Sequence, residues 1–341
     1  MQRIISQNKK DLDYKLKGPI AFSESESSMD LEYEEEKHFS VVSLRSARRN
    51  RLFLNKHWDE EIIKWKGKKV DEYDSVLIIN IPYDSSYCHN LIDSMPLIFH
   101  YEASKDYDLI IVANNEYINT FVSDFNIKFK KIGLLGSEYH FKAKKVKVEN
   151  YSMRSREIKR LDNFKKFLDF YKKNILNLKN KKGDLLIYCT RNSGGGASHG
   201  RIMKEANEKN INKILKDYAL KKKLKYVLFD GKKNGKVMTP KGQMELFHNA
   251  KIIVGPHGGA MSNIIHIDPE NDCKICEFTS GTETDQSKIQ AIRPFVKNYN
   301  RLYNNMISNF SDYYFIPFSK SSTKKETEID VKNLKFFLNT V

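Results

Sequence analysis

Short apolar runs bounded by turn residues recur at residues 76–81, 109–113, 146–148, 185–190, 226–229, 252–254 and 274–278, and each is predicted to be a β-strand. The stretches between them are long enough to hold helices. Strands that alternate with helices favour parallel sheets, since a parallel pair needs a crossover connection of a dozen or more residues. A 3.6-residue apolar period predicts one long helix over 154–180, with Ile158, Leu161, Phe164, Phe167, Leu168 and Tyr171 on one stripe, linking two halves of the chain. A second helix is predicted over 201–223. A third opens at Thr239-Pro240, a capping residue followed by proline in the first turn, and runs through Phe247. Residues 331–338 have the pattern of a helix that docks back. Residues 1–40 and 319–331 are polar and expected to be mobile.

Composition narrows this picture. With 341 residues and 40% hydrophobic content, the chain can bury two cores of ordinary size. The expected division is a polar segment at 1–40, an α/β domain with the linking helix at 41–180, a second α/β domain at 181–305 and a tail at 306–341. The net charge of +16 is unevenly placed: residues 1–40 carry six Lys or Arg against nine Asp or Glu, leaving +19 on the remainder. Lysine clusters at 142–147, 181–182 and 221–225 suit a solvated surface, nucleic acid, anionic lipid or a phosphate-bearing substrate. The acidic run at 32–36 either balances that field or folds against it.

No apolar stretch approaches the roughly 20 residues that span a bilayer, and the first residues lack a signal-peptide core. The expectation is a soluble cytoplasmic protein. Four cysteines, Cys88, Cys189, Cys273 and Cys276, are too few for a disulfide framework and are expected to be reduced. Cys273 and Cys276 have the spacing of half a zinc site, but residues three apart on a strand face opposite sides and no second such pair exists.

The most informative segment is Val254-Gly255-Pro256-His257-Gly258-Gly259-Ala260-Met261-Ser262-Asn263, an apolar strand entering a glycine turn that presents a histidine. A helix beginning near Gly259 would aim unpaired N–H groups at an anion, and the glycines let backbone approach it closely. A tight strand-to-helix turn with an incidental histidine is the competing reading. The next strand contains Glu277, which could border the same crevice, since ligands of open α/β sheets sit at the carboxyl ends of strands. It could accept both hydroxyls of a ribose or be a solvated strand end. Arg191 and Arg201 flank a glycine-rich loop at 192–200, and their planar forks match phosphate oxygens; a mobile loop with solvated arginines is the alternative. His89 and Asp93, four residues apart, share one face if residues 87–101 are helical, although Pro96 interrupts the pattern.

These residues resemble glycosyltransferase family 61. Its hallmark is an apolar strand followed by G-x-H-G-A-G-hydrophobic-[ST]-[NH] and then a strand ending in Glu. Here the segment runs from Gly255 to Asn263, the family's Ala-Gly order is inverted to Gly-Ala, and Glu277 lies fourteen residues after Asn263. The run 185–191 resembles the family's strand-then-arginine segment, Arg201 its second arginine, Asn207-Glu208 its later Asn-Glu, and 89–96 its H-x-x-x-[DE] helix. The resemblance implies an inverting glycosyltransferase of GT-B architecture, two Rossmann-like domains with mainly parallel sheets facing a cleft. It implies a nucleoside-diphosphate donor, most often a UDP-sugar, and a hydroxyl of a glycan, glycolipid or lipid-linked acceptor. Asp93 or His89 would be the base, one orienting the other. Arg191, Arg201, His257, Gly258, Gly259 and Asn263 would bind the donor, and Glu277 its ribose. The chain shows no clear D-x-D motif, which in other glycosyltransferases holds a divalent ion on the diphosphate, so no metal or other cofactor is expected.

Many family members in animals and plants work in the secretory pathway, so a cytoplasmic version points to a microbial or viral polysaccharide pathway, with peripheral contact to an anionic membrane fitting the positive charge. Two other classes stay open: a basic nucleic-acid-binding protein, and a catalytically silent fold that retains nucleotide binding.

Overall fold

All seven predicted strand segments are strands in the computed structural model, which describes residues 19–20, 28–46, 49–57, 70–80, 87–113, 116–125, 132–135, 138–150, 183–192, 202–279, 312–319 and 326–341. The chain divides into two units, Met1–Phe170 and Tyr171–Val341. Both are mixed α/β, and most of their strand ladders are parallel.

The first unit contains β1 (Pro19–Ile20), β2 (Ser28–Ser46), β3 (Arg49–His57), β4 (Asp71–Asn80), α1 (Tyr87–His89), a π-helical turn (Asn90–Ser94), α2 (Met95–Ser104), β5 (Leu109–Ala113), α3 (Glu116–Phe125), β6 (Ile132–Leu135) and β7 (Glu138–Asn150). Its sheet has the order β1-β3-β2-β7-β4-β5-β6, parallel from β7 to β6 and antiparallel from β1 to β7. Val76 and Ile78 join a core with Phe39, Val41, Phe141 and Val146, while Leu77 and Ile79 are equally buried on the opposite face. A strand covered on both sides reads as an unbroken apolar run.

The expectation of a mobile 1–40 is corrected by β2. Its outer side is acidic, which hid the strand, but Leu31, Tyr33, Phe39 and Val41 turn toward the core. At the start of the acidic run, Asp30 pairs in register with Lys147 and Glu32 with Lys145 of β7, and the ladder then shifts between Glu32 and Lys37, leaving Glu34 to Glu36 exposed. Opposite charges across neighbouring strands favour that register. Asp30 and Glu32 therefore face the lysines, and the rest of the acidic run faces solvent.

The second unit contains β8 (Leu185–Cys189), β9 (Ile202–Met203), α4 (Glu205–Lys221), β10 (Lys225–Phe229), β11 (Lys232–Lys233), β12 (Lys236–Val237), α5 (Pro240–His248), β13 (Ala250–Pro256), a 3₁₀ turn (Gly259–His266), a shorter one (Pro269–Asn271), β14 (Lys274–Thr279), β15 (Asp312–Ser319), β16 (Glu326–Ile329) and α6 (Val331–Thr340). The main sheet has the order β10-β8-β13-β14-β15-β16-β9 and is parallel except between β15 and β16. One face carries Leu186, Tyr188, Val254, Cys276 and Phe278 against Ile211 and Leu215 of α4 and Leu334 and Phe337 of α6. The other carries Ile187, Ile253, Ile275 and Glu277, since alternate strand residues point to opposite sides. On that side α5 packs with the Gly259–His266 turn, and Phe247 meets Phe229 edge-on at 5.0 Å.

Three further expectations change. The predicted tail at 306–341 contributes β15 and β16 to the sheet, and its last helix docks through Leu334, Phe337 and Leu338. Residues 326–329 within the polar 319–331 stretch form β16, where Thr327 and Ile329 are buried. The helix predicted from 201 starts at Glu205, because Ile202 and Met203 pair with β16 as β9. The long helix predicted over 154–180 lies outside the described residues. Among the described residues no helix is long and apolar enough to cross a membrane.

Candidate functional site

In the second unit, β8, β13 and β14 are neighbouring parallel strands whose carboxyl ends deliver Arg191, His257 and Glu277 to one edge of the sheet. Gly255 lies opposite Glu277 in the ladder. A Cβ at Gly255 would fall 2.6 Å from the Cys189 carbonyl oxygen, so glycine lets β13 close on β8 at that point. The chain then turns through His257, whose N–H donates to the Phe278 carbonyl at 2.8 Å, fixing the turn to the end of β14.

Two groups lock His257. The Arg191 guanidinium donates from Nη1 to the His257 carbonyl oxygen at 2.9 Å. The imidazole Nδ1 bonds Oε1 of Glu277, and the other carboxylate oxygen accepts from the Tyr313 hydroxyl at 2.5 Å. A carboxylate only accepts, so the Nδ1 proton points at Glu277 and the tautomer is set. Glu277 is 1% exposed and the His257 side chain 26% exposed, so the carboxylate is enclosed while part of the imidazole reaches the surface. Arg191 passes over Gly258 so closely that a Cβ there would stand 1.9 Å from Nη1.

Gly259 begins the 3₁₀ turn, with the Met261 N–H donating to the Gly258 carbonyl at 3.0 Å, so the N–H groups of Gly259 and Ala260 precede the turn's ladder. The expected helix is thus a tighter turn. Its eight residues are held by Ser262, whose hydroxyl donates to the Gly259 carbonyl at 2.6 Å, and by Asn263. Asn263 is fully buried and donates to Gln243 Oε1 at 2.9 Å and to the Ala260 carbonyl at 3.1 Å. It braces the turn against α5. Glu277 is not a solvated strand end: it is buried between His257 and Tyr313 and orients the imidazole.

Tyr313 has no local signature in the chain; it arrives on β15 from 36 residues beyond Glu277. The use of Glu208 was equally open from its neighbours alone. Glu208 accepts from the Thr190 hydroxyl at 2.5 Å and the Tyr188 hydroxyl at 3.3 Å, clamping the residue before Arg191 to α4. Burial and then the Glu208 charge hold the Tyr188 phenol well above its ordinary pKa. Asn192 bonds both backbone groups of Met203, at 2.8 and 2.9 Å, tying together the two ends of the glycine loop. Arg201 and residues 193–200 lie outside the described residues.

His89 closes α1 and Asp93 lies in the π-helical turn of the first unit, so helix is continuous from Tyr87 to Ser104. The wider turn directly precedes Pro96, whose ring would clash with a carbonyl one α-turn back. The D-x-D spacing does occur twice in the chain, at Asp11-Leu12-Asp13, outside the described residues, and at Asp106-Tyr107-Asp108, correcting the expectation that it shows none. In the second, Asp108 Oδ2 accepts from the Ser75 N–H at 3.1 Å and the Ser75 hydroxyl at 3.2 Å, joining β4 to the start of β5. Cys189, Cys273 and Cys276 are buried, and burial pushes all three thiols up.

The family profile described as Glycosyltransferase 61 matches residues 87–276, more than half of the chain. The chain belongs to glycosyltransferase family 61. The match begins at α1, takes in His89, Asp93, Arg191, Arg201 and the whole His257 turn, and ends one residue before Glu277. No curated protein matches the chain. As a family 61 glycosyltransferase it uses a sugar donor and an acceptor, and among the described residues the edge of the second sheet brings Arg191, His257 and Glu277 together.

Proposed function

We propose that the protein is an inverting glycosyltransferase of GT-B organisation that moves a sugar from a nucleoside diphosphate, UDP first among the candidates, to a hydroxyl of a glycan or glycolipid. The observation that carries this reading is the meeting of Arg191 with the His257-Gly258 turn. A fixed guanidinium, a tautomer-locked imidazole and the leading N–H groups of a 3₁₀ turn converge at the carboxyl edge of a parallel sheet, where diphosphates bind in such folds. As the acceptor oxygen attacks the anomeric carbon and its bond to the diphosphate breaks, negative charge grows on the departing phosphate. Arg191, Arg201 and His257 stabilise that charge, and preorganised electrostatic stabilisation of this kind commonly does more for the rate than any other effect. In the first unit, Asp93 or His89 takes the proton from the acceptor hydroxyl, one orienting the other. Arginines and imidazole stand in for a metal, and Asp108 of the triplet at 106–108 bonds Ser75, so transfer should persist in chelator.

A panel of UDP-, GDP- and CMP-sugars tests the reading by calorimetry and transfer. One donor class should give heat and turnover. Arg191→Ala should lower kcat/KM about 10²–10³-fold, and Asp93→Ala or His89→Ala should lower kcat about 10²–10⁴-fold while donor binding remains. No heat with any activated sugar, or full transfer by both base variants, overturns it.

A further inference from the structure

A second charged feature stands at the same edge of the second unit. Strand β10 is the outer strand of the sheet, and its last residue Phe229 lies beside Cys189, with the Thr190 N–H donating to the Phe229 carbonyl at 2.9 Å. Three residues on, β11 and β12 form a hairpin whose register pairs Lys232 with Val237 and Lys233 with Lys236. Its two-residue loop has Asn234 at φ 53° and Gly235 at φ 77°, the pairing of positive φ values that makes a rigid type I′ turn. The base is closed by the Met238 N–H donating to the Gly231 carbonyl at 2.8 Å and by Asp230 capping the Lys232 N–H at 2.9 Å.

Every residue of this hairpin is exposed, and among the described residues Lys232, Lys233 and Lys236 form no ion pair. Lys233 and Lys236 stand directly opposite each other, an arrangement that costs stability. A stiff turn that holds like charges together, with an exposed apolar residue at its base opposite Lys232, has a use for them. Val237 is 74% exposed, and Leu228, at the edge just before the hairpin, is 51% exposed.

We infer that this hairpin docks the protein on an anionic lipid bilayer, its lysines at the headgroups and Val237, beside Lys232 at its base, against the interface. A soluble anion would reward the lysines but not the neighbouring apolar groups, whereas a charged membrane rewards both. Nucleic acid is the poorer fit. Residues 202–279 contain no arginine, and their exposed large hydrophobic residues, Leu220, Leu228 and Val237, include no aromatic ring on which a base could stack. Docking there brings the Arg191–His257 edge to the headgroup plane; on the function proposed above, that is where a lipid-linked acceptor presents its hydroxyl.

Flotation of the full chain with vesicles tests this without any turnover, so it fails or succeeds independently of the glycosyltransferase assignment. The chain should float with equimolar phosphatidylcholine and phosphatidylglycerol, less so as salt rises, and not with phosphatidylcholine alone. Each lysine near an anionic leaflet contributes about fivefold in binding, so K232Q/K233Q/K236Q should lose on the order of a hundredfold. The triple arginine variant should retain binding, and Val237→Ser should lose several-fold. The Gln variant should melt no lower than wild type, because repulsion is relieved, which separates lost docking from lost folding. Equal flotation of the Gln variant, or tighter binding to a DNA duplex or single strand than to anionic vesicles at the same salt, overturns the inference.

Discussion

Gly258 tests the geometry of the turn most sharply. Its φ of 168° is extended backbone that any residue adopts, so alanine brings no backbone strain. Its Cβ would instead displace Arg191 Nη1, 1.9 Å away. The displaced atom is the far end of a flexible side chain, so Gly258→Ala should fold with nearly unchanged stability. It should lose about a hundredfold in kcat/KM, the scale of effect that an ångström of misplacement produces. An unchanged donor KM in that variant would detach Arg191 from the donor. Glu277→Gln addresses the other lock on His257. An amide cannot accept from Tyr313 and His257 at both of its atoms, and loss of such an orienting partner costs about 10–100-fold in activity. Wild-type turnover by E277Q would show that His257 needs no orientation. The turn itself was legible in the sequence because glycine, proline and histidine act over a few residues. The role of Glu277 was not, because its burial and its Tyr313 partner follow from strand register: Ile275 lies beside Tyr313 and Glu277 beside Phe315.

At the scale of elements, α5 shows how local signals hold a site in place. Thr239 accepts from the Gly242 N–H at 3.2 Å and Pro240 follows it, as the sequence indicated. The helix then presents Gln243 to Asn263, so the cap supports the His257 turn at one remove. Thr239→Ala should lower unfolding stability by about 1 kcal/mol, measured in urea, the usual cost of an N-cap. Thr239→Asn should restore it, and a melt unchanged by the alanine variant would mean that α5 does not depend on its cap. The parallel strands were equally legible, because burial on both faces leaves uninterrupted apolar runs at residues 76–79 and 252–254. Strand β2 was not: its exposed Asp30 and Glu32 face Lys147 and Lys145, a match between segments more than a hundred residues apart. The π-helical turn before Pro96 belongs to the same group. Proline announces that an α-helix cannot pass, but not that the backbone will widen and continue.

Across the molecule, aromatic hydroxyls placed in both units tie the fold to proton uptake. In the first unit, burial and then the charges of Asp30, Asp106 and Glu149 push the Tyr107 phenol up to about 12, and burial and then a bond with Tyr73 raise that of Tyr139. In the second, burial and then Glu208 raise Tyr188 and Tyr226, and burial and then Asp312 raise Tyr314. Below about pH 10 both folded and unfolded chains keep these protons, so stability does not depend on them. Above it the unfolded chain releases protons that the fold retains. The unfolded state then binds fewer, and stability falls with rising pH, until Tyr107 itself ionises near 12. Each phenol that the fold keeps protonated steepens the fall by about 1.4 kcal/mol per pH unit. Alkaline titration followed by phenolate absorbance and far-ultraviolet circular dichroism should therefore show two populations: exposed tyrosines ionising at their ordinary pH, then a cooperative group that ionises as the helical signal is lost. Tyr188→Phe should make the second transition less steep, since it removes the phenol most fully withheld from water. Smooth ionisation of all 18 tyrosines with intact dichroism would mean that these rings are not enclosed as the two sheets place them.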